Sequence, residues 1–143
     1  MIRIRLATDE DLDDVLEIER ECFPTGSGRD VESWDRWQWW IAEDSEGPCG
    51  FAAAVVVEGS DQCYLALAGV SARARGQGLQ RRLIRVREAW ARGRCCGECI
   101  TYTATWNHAS ANNLIRCGYR LYEPEDRWGF GDALYWLRLL VEA

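Results

Sequence analysis

Ile2-Arg3-Ile4-Arg5-Leu6 alternates apolar and charged side chains, the period-two pattern of a half-buried strand. Thr8 followed by Asp9, Glu10 and Asp11 reads as an N-cap with acids in the first turn, where the helix dipole favours negative charge. Leu12, Val15, Leu16, Ile18 and Cys22 fit one helical face, and Pro24, Gly26 and Gly28 end that helix in a loop. Residues 30–37 fit a short second helix. Trp37 to Glu43, Cys49 to Val57 and Tyr64 to Val70 read as a three-stranded meander, with turns at Asp44–Pro48 and Glu58–Asp61. A helix is predicted from about Gly78 to Arg92, with Leu79, Leu83, Val86 and Trp90 inward. Arg81, Arg82, Arg85 and Glu88 fall outward, and Gly93 serves as the C-cap. Glu98 to Thr105 is a strand, and His108 to Cys117 is a helix closed by Gly118. Tyr119 to Tyr122 and Ala133 to Val141 are the last strands. The order β-α-α-β-β-β-α-β-α-β-β predicts an α/β fold with a mixed sheet. The helix over 78–92 then joins two parallel neighbours, strands 64–70 and 98–105, by a right-handed crossover.

The 143 residues suit one domain spanning 1–143. No apolar run approaches the roughly 20 residues that cross a bilayer, and the N-terminus has no secretory apolar core. A cytoplasmic protein with no membrane contact is expected. Residues 1–61 hold 16 acidic and 5 basic residues, a net of −11; residues 62–143 hold 7 and 12, a net of +5. Eight of the 17 basic residues, all Arg, lie between Arg73 and Arg94, which favours an anionic ligand there. The overall charge of −6 argues against nucleic acid as a partner. Seven cysteines without a secretory signal point to reduced thiols. Cys96-Gly97-Glu98-Cys99, with Cys95 beside it, lacks a second ligand pair, and His108 is the only histidine, so no metal is expected.

Chemistry concentrates at Arg75-Gly76-Gln77-Gly78, at the junction of an apolar strand and an amphipathic helix. The first helical turn leaves N–H groups unpaired at the positive end of the dipole, and glycines let a ligand approach the backbone. Such a junction is an anion site suited to phosphate or pyrophosphate. A dinucleotide fingerprint would need a third glycine after the first strand, and a P-loop would need a Lys, which the chain lacks. A purely structural tight turn is the remaining alternative.

Two segments decide between these readings. Val70 with Arg75-Gly76-x-Gly78-Leu79 resembles the acetyl-CoA motif V-x-P-x-x-R-G-x-G-[IL]-[GA] of the GCN5-related N-acetyltransferase (GNAT) superfamily. Asn107-x-x-Ser110, running to Gly118-Tyr119, resembles that family's N-x-x-[AS]…G-[FY] motif. The resemblance spans nearly the whole chain. It implies a single-domain acyl-CoA N-acyltransferase (GNAT) fold, a mixed central sheet flanked by helices, with acetyl-CoA as co-substrate. The implied activity is acetyl transfer to a primary amine of a small molecule or peptide. By the resemblance, the turn from Arg75 through Gly76, Gln77, Gly78 and Leu79 to Gln80 cradles the pyrophosphate. Ala68, Gly69 and Val70 pair with the pantetheine arm, and Asn107, Ser110 and Asn113 bound its thiol end. Asn107 and Ser110 also read as helix-capping residues.

Departures from the family pattern are specific. Gln80 stands where Gly or Ala is usual, and Leu114 where many members carry the Tyr that protonates the leaving thiolate. Tyr64 and Ala66 stand where some members place a Glu base, and Tyr64, Ala66 and Ala68 should share a face by strand alternation. Amine transfer needs a proton removed and a proton supplied. Tyr64 and Ser110 are the first candidates, ahead of Tyr102, Tyr119 and Tyr122, with Glu58 or Asp61 as a base through water. Tyr119 is expected to pack in the core. A non-catalytic acyl-CoA-binding module is the alternative, and an RNA-directed acetyltransferase is disfavoured by charge. Trp34, Trp37, Trp39, Trp40, Trp128 and Trp136 cluster in the segments that shape the acceptor pocket of this family. Beside Asp30, Glu32 and Asp35 they suit a cationic amine, or else they form core or a homodimer contact.

Overall fold

The computed structural model describes residues 1–23 and 33–140. Its strands are β1 (Arg3–Leu6), β2 (Gln38–Asp44), β3 (Gly47–Val56), β4 (Gln62–Val70), β5 (Glu98–Ala104), β6 (Arg120–Leu121) and β7 (Ala133–Leu139). The helices are α1 (Leu12–Cys22), α2 (Leu79–Gly93) and α3 (His108–Arg116). The strands form one mixed sheet in the order β1-β2-β3-β4-β5-β7-β6. By contact density the chain forms two compact units, one of Met1–Val55 with Ala66–Leu83, the other of Val56–Leu65 with Ile84–Ala143. No described helix is long and apolar enough to cross a membrane.

In the first unit, β1 pairs antiparallel with β2, and β2 with β3. Alternation sends Trp39, Ile41, Phe51 and Ala53 to one face, where Val15 and Ile18 of α1 cover them. Ala42, Cys49, Ala52 and Val70 face the other way and pack on Ala74, Leu79 and Leu83. Each fully buried Val, Ile, Leu or Phe among them contributes about 1.5–3 kcal/mol. The Thr8 N–H donates to Asp11 Oδ2 (2.8 Å), and Arg5 grips both Asp11 oxygens (2.8 and 2.9 Å). Those hydrogen bonds, from Arg5 above all, pull the Asp11 carboxyl down to a pKa of about 2. Of the second helix predicted over 30–37, residues 30–32 lie outside the described set. Ser33 to Trp37 form a single turn, closed by Arg36 and Trp37 N–H groups on the Ser33 carbonyl (both 3.0 Å).

In the second unit, β4 and β5 run parallel from Gln62↔Glu98 to Tyr64↔Ile100. Beyond that point the Thr101 hydroxyl donates to the Leu65 carbonyl (2.8 Å). β7 pairs antiparallel with β5 and with β6. Two expectations for α2 are corrected. Its buried positions are Leu79, Leu83, Ile84, Arg87, Glu88 and Ala91, so Glu88 is inside, 1% exposed, while Val86 and Trp90 are half-buried. Glu88 is held by the Tyr119 hydroxyl (2.8 Å) and by Arg138 (2.6 Å). The left-handed position that closes the helix also lies two residues beyond its glycine, which is the last helical residue. Cys96 N–H bonds the Ala91 carbonyl and Cys95 N–H the Arg92 carbonyl (both 3.0 Å), a Schellman pair that puts Cys95 at φ 61°. α3 closes as expected, with Gly118 at φ 93°.

A bulge in β4 positions the site. At one end of the β3–β4 hairpin Val57 N–H bonds the Gln62 carbonyl; at the other, Ser71 N–H bonds the Cys49 carbonyl. The β3 side spans eight steps (49 to 57) and the β4 side nine (62 to 71), so β4 carries one extra residue. Consecutive residues Ala66 and Leu67 both pack against the α1-side core, whereas Ala68 packs on the opposite cluster. The alternation expected to put Tyr64, Ala66 and Ala68 on one face is therefore broken at 66–67.

Candidate functional site

β4 ends at Val70, and a 3-10 turn over Ala72–Ala74 follows, with Ala74 buried as its anchor. Gly76 and Gly78 both sit at φ 77°, a left-handed conformation in which a side chain is strained. The Gly78 carbonyl accepts the Arg82 N–H (3.2 Å), so Gly78 opens α2 and Leu79, Gln80 and Arg81 form its first turn. The N–H groups of that turn have no acceptor within the helix. Leu79 points its side chain into the core, which aims the helix start. Gln80 is half-buried, and Gln77 is exposed, its amide donating to the Arg73 carbonyl (3.4 Å). The expected junction of strand, glycine turn and helix is therefore present.

Ser71 N–H faces β3, so one residue of alternation turns the backbone of Ala68 and Val70 toward the opposite edge of β4. There the Val70 carbonyl accepts from Arg75 Nε (3.1 Å) and from the Cys22 thiol (3.3 Å). Between them, Gly69 has no room for a side chain: a Cβ would stand 2.7 Å from the Phe51 ring. Arg73 turns away from the cradle. It bonds the Gly47 and Pro48 carbonyls (both 3.0 Å) and pairs with Asp44. Glu21, on the last turn of α1, accepts the Ala72 N–H (2.7 Å).

Asn107 caps α3, its Oδ1 accepting the Ser110 N–H (3.2 Å), so the capping role read for Asn107 is present, while Ser110 is the third residue of the helix and takes part through its backbone. Ser110 and Asn113 are half-buried on that helix, and Leu114 is buried. Tyr64 is half-buried and stacks on Tyr102 (centroids 6.4 Å, 12°), and Trp128 stands edge-on to both (5.1 and 5.2 Å). Tyr135 continues the cluster, 5.3 Å from Trp128. Sequence reasoning missed this grouping because Trp128 comes from an irregular segment. Arg127 pins that segment through Glu123 (2.8 Å) and the Ala133 carbonyl (2.7 Å).

Other candidates are removed from the site. Tyr119 is core, as expected, and burial pushes its phenol well up. Glu58 and Asp61 lie in the β3–β4 turn, at the end of β4 away from the glycine turn. Trp39, Trp40 and Trp136 are core; Trp34 stacks on Trp39 (4.9 Å) and donates to Asp9 (2.9 Å). Of the six clustered tryptophans, only Trp128 combines substantial exposure (39%) with the Tyr64 cluster. Asp30 and Glu32 lie outside the described residues. All seven cysteines are free; Cys96 and Cys99 are buried, Cys95 is exposed. Among the described residues no three His, Cys, Asp or Glu side chains converge to hold a metal.

A mixed α/β sheet with a bulged strand leads through a left-handed glycine turn into a helix N-terminus. The chain belongs to the GNAT acetyltransferase family, whose model matches residues 12–119, and is an acyltransferase by that membership. It is similar to the ribosomal-protein-S18-alanine N-acetyltransferase of Escherichia coli (19% identity, TM-score 0.83, 100% of this chain and 96% of that one). A Bacillus subtilis acetyltransferase in complex with CoA matches at 16% identity and TM-score 0.77, over 99% and 100% of the chains. A Sinorhizobium meliloti phosphinothricin acetyltransferase in complex with AcCoA matches at 18% and 0.77, over 96% and 88%. At these identities the likeness is one of fold. No curated protein sequence matches the chain.

Proposed function

We propose that the protein transfers an acetyl group from acetyl-CoA to a primary amine of a small molecule or peptide. The observation that carries this is the Gly76–Gly78 turn, whose backbone opens the first turn of α2 to an anion. Of the cradle expected from Arg75 to Gln80, the Arg75 N–H is already on the Ala72 carbonyl (3.3 Å), so the pyrophosphate takes N–H bonds from Gly76 to Gln80, and the pantetheine arm lies along the Ala68–Val70 edge as an added strand. Asn107, Ser110 and Asn113 are assigned to the thiol end by the family motif. Two structural neighbours are complexes with CoA or AcCoA, which supports the same donor here.

Chemistry at the thioester requires the neutral amine and a proton for the departing thiolate. Tyr64 and Ser110 are the groups proposed to handle protons, with much of the rate from positioning. Leu114, buried where a tyrosine acid is usual, favours a second reading: an acyl-CoA-binding module without turnover. The test pairs calorimetry on acetyl-CoA with thiol release across an amine panel. Binding with amine-dependent release is expected. Tyr64→Phe and Ser110→Ala should lower kcat by about tenfold or more, with acetyl-CoA affinity unchanged. Full turnover in both variants refutes their assignment. Binding without release for any amine identifies the module instead.

A further inference from the structure

The Val70 carbonyl faces the edge of β4 along which an extended donor would pair, yet two side chains already occupy it. Arg75 Nε stands 3.1 Å away and Cys22 Sγ 3.3 Å. Burial pushes the Cys22 thiol up, so it remains S–H and can donate. Around the same loop, Glu21 accepts the Ala72 N–H and Arg73 holds the Gly47 and Pro48 carbonyls. The last turn of α1 and the β2–β3 turn therefore brace residues 70–75 from both sides. Gly69 completes the fit, since a Cβ there would meet Cys22 Sγ at 3.1 Å and Phe51 at 2.7 Å.

Resting on the reading that the turn binds the coenzyme's pyrophosphate, we propose that Arg75 and Cys22 are positioning residues that latch the Val70 carbonyl. Arg75 then acts on the donor through the backbone rather than as a phosphate ligand. The latch removes the Val70 carbonyl from pairing, so the donor arm bonds the Ala68 N–H and C=O and the Val70 N–H, and it holds the Ala68–Val70 edge along which the arm of either donor lies. Unlatched, the loop must be ordered at the moment of binding, which weakens affinity without changing the chemistry that follows.

The distinguishing measurement compares acetyl-CoA with S-acetyl pantetheine, which carries the arm and thioester but no phosphate. A phosphate ligand matters only for the first; a latch on β4 matters for both. Arg75→Gln should raise KM for the two donors by the same factor, about 5- to 30-fold, with kcat within about twofold. Cys22→Ala should raise both by a smaller common factor, and Cys22→Ser, which restores a donor, should recover most of it. The double variant should cost less than the product of the singles, because both act on one carbonyl. An effect of Arg75→Gln on acetyl-CoA alone overturns the proposal, as does no effect on either donor. If Arg75→Gln fails to fold, the Ala and Ser variants of Cys22 decide by the same comparison: equal loss and Ser rescue support the latch, anything else refutes it. Failure of the wild type to bind acetyl-CoA would refute the functional reading itself, separately from the latch.

Discussion

At the scale of single residues, backbone sign decides which glycines matter. Gly76 and Gly78 need left-handed φ, and both lie in the turn that leads into α2. Gly93, by contrast, sits inside α2, and the left-handed position after that helix falls to Cys95 at φ 61°. A side chain there is disfavoured by about 1 kcal/mol relative to glycine. Cys95 is exposed, so nothing in the core holds it. Cys95→Gly should therefore stabilise the protein by about 0.5–1 kcal/mol, read as a higher urea midpoint at unchanged slope. A lower midpoint would mean that the thiol makes a contact worth more than the strain. This position was hidden in the sequence because Gly93 satisfied the usual composition of a helix end, two residues too early.

Among elements, α2 and β4 show where sequence periodicity reads well and where it fails. The Gly78–Arg92 helix was legible to within a residue at each end, since its apolar spacing and flanking glycines agree. Its inner face was not, because Arg87 and Glu88 look like surface residues, and the groups that hold Glu88, Tyr119 just before β6 and Arg138 on β7, are distant in sequence. The β4 bulge was illegible for a different reason: Leu65-Ala-Leu-Ala68 is apolar throughout and carries no period to break. The glycine turn was legible because a φ requirement is written in residue type. The aromatic site around Trp128 was not, because ring contacts from an irregular segment leave no spacing to read. The inward face of α2 makes a prediction. Glu88→Ala leaves the Arg138 guanidinium and the Tyr119 hydroxyl without their acceptor and should cost about 3–5 kcal/mol. Glu88→Gln keeps the shape and an oxygen for Tyr119 and should cost about 1–2 kcal/mol. Denaturant titration of the two variants checks the ranking; an Ala variant within about 1 kcal/mol of wild type would show that the buried carboxylate contributes little net stability.

For the molecule as a whole, the charge asymmetry gathers basic residues around the glycine turn. The basic residues of 73–94 divide by structure into those turned inward and those left to act at a distance. Arg73 and Arg75 bond backbone carbonyls, Arg82 bonds the Ile2 carbonyl (2.9 Å), and Arg87 is buried. Arg85 is exposed and Arg81 half-buried on the helix that the glycine turn opens, with Arg81 Nη2 3.6 Å from where a Cβ on Gly78 would lie. On the proposed function, their field adds to the dipole of α2 and should draw a polyanionic coenzyme toward the helix N-terminus. Screening then has a definite consequence. Raising ionic strength from about 0.05 to 0.5 M shortens the Debye length severalfold and should weaken acetyl-CoA binding about 3- to 10-fold, mostly through slower association. Arg81→Gln with Arg85→Gln should lose affinity at low salt and flatten that dependence, while the uncharged S-acetyl pantetheine should show neither effect. Stopped-flow binding across a salt series measures both. A slope that survives the double substitution would assign the steering to backbone amides alone, and the arginines of the outer helix face would then be solvated surface rather than part of donor capture.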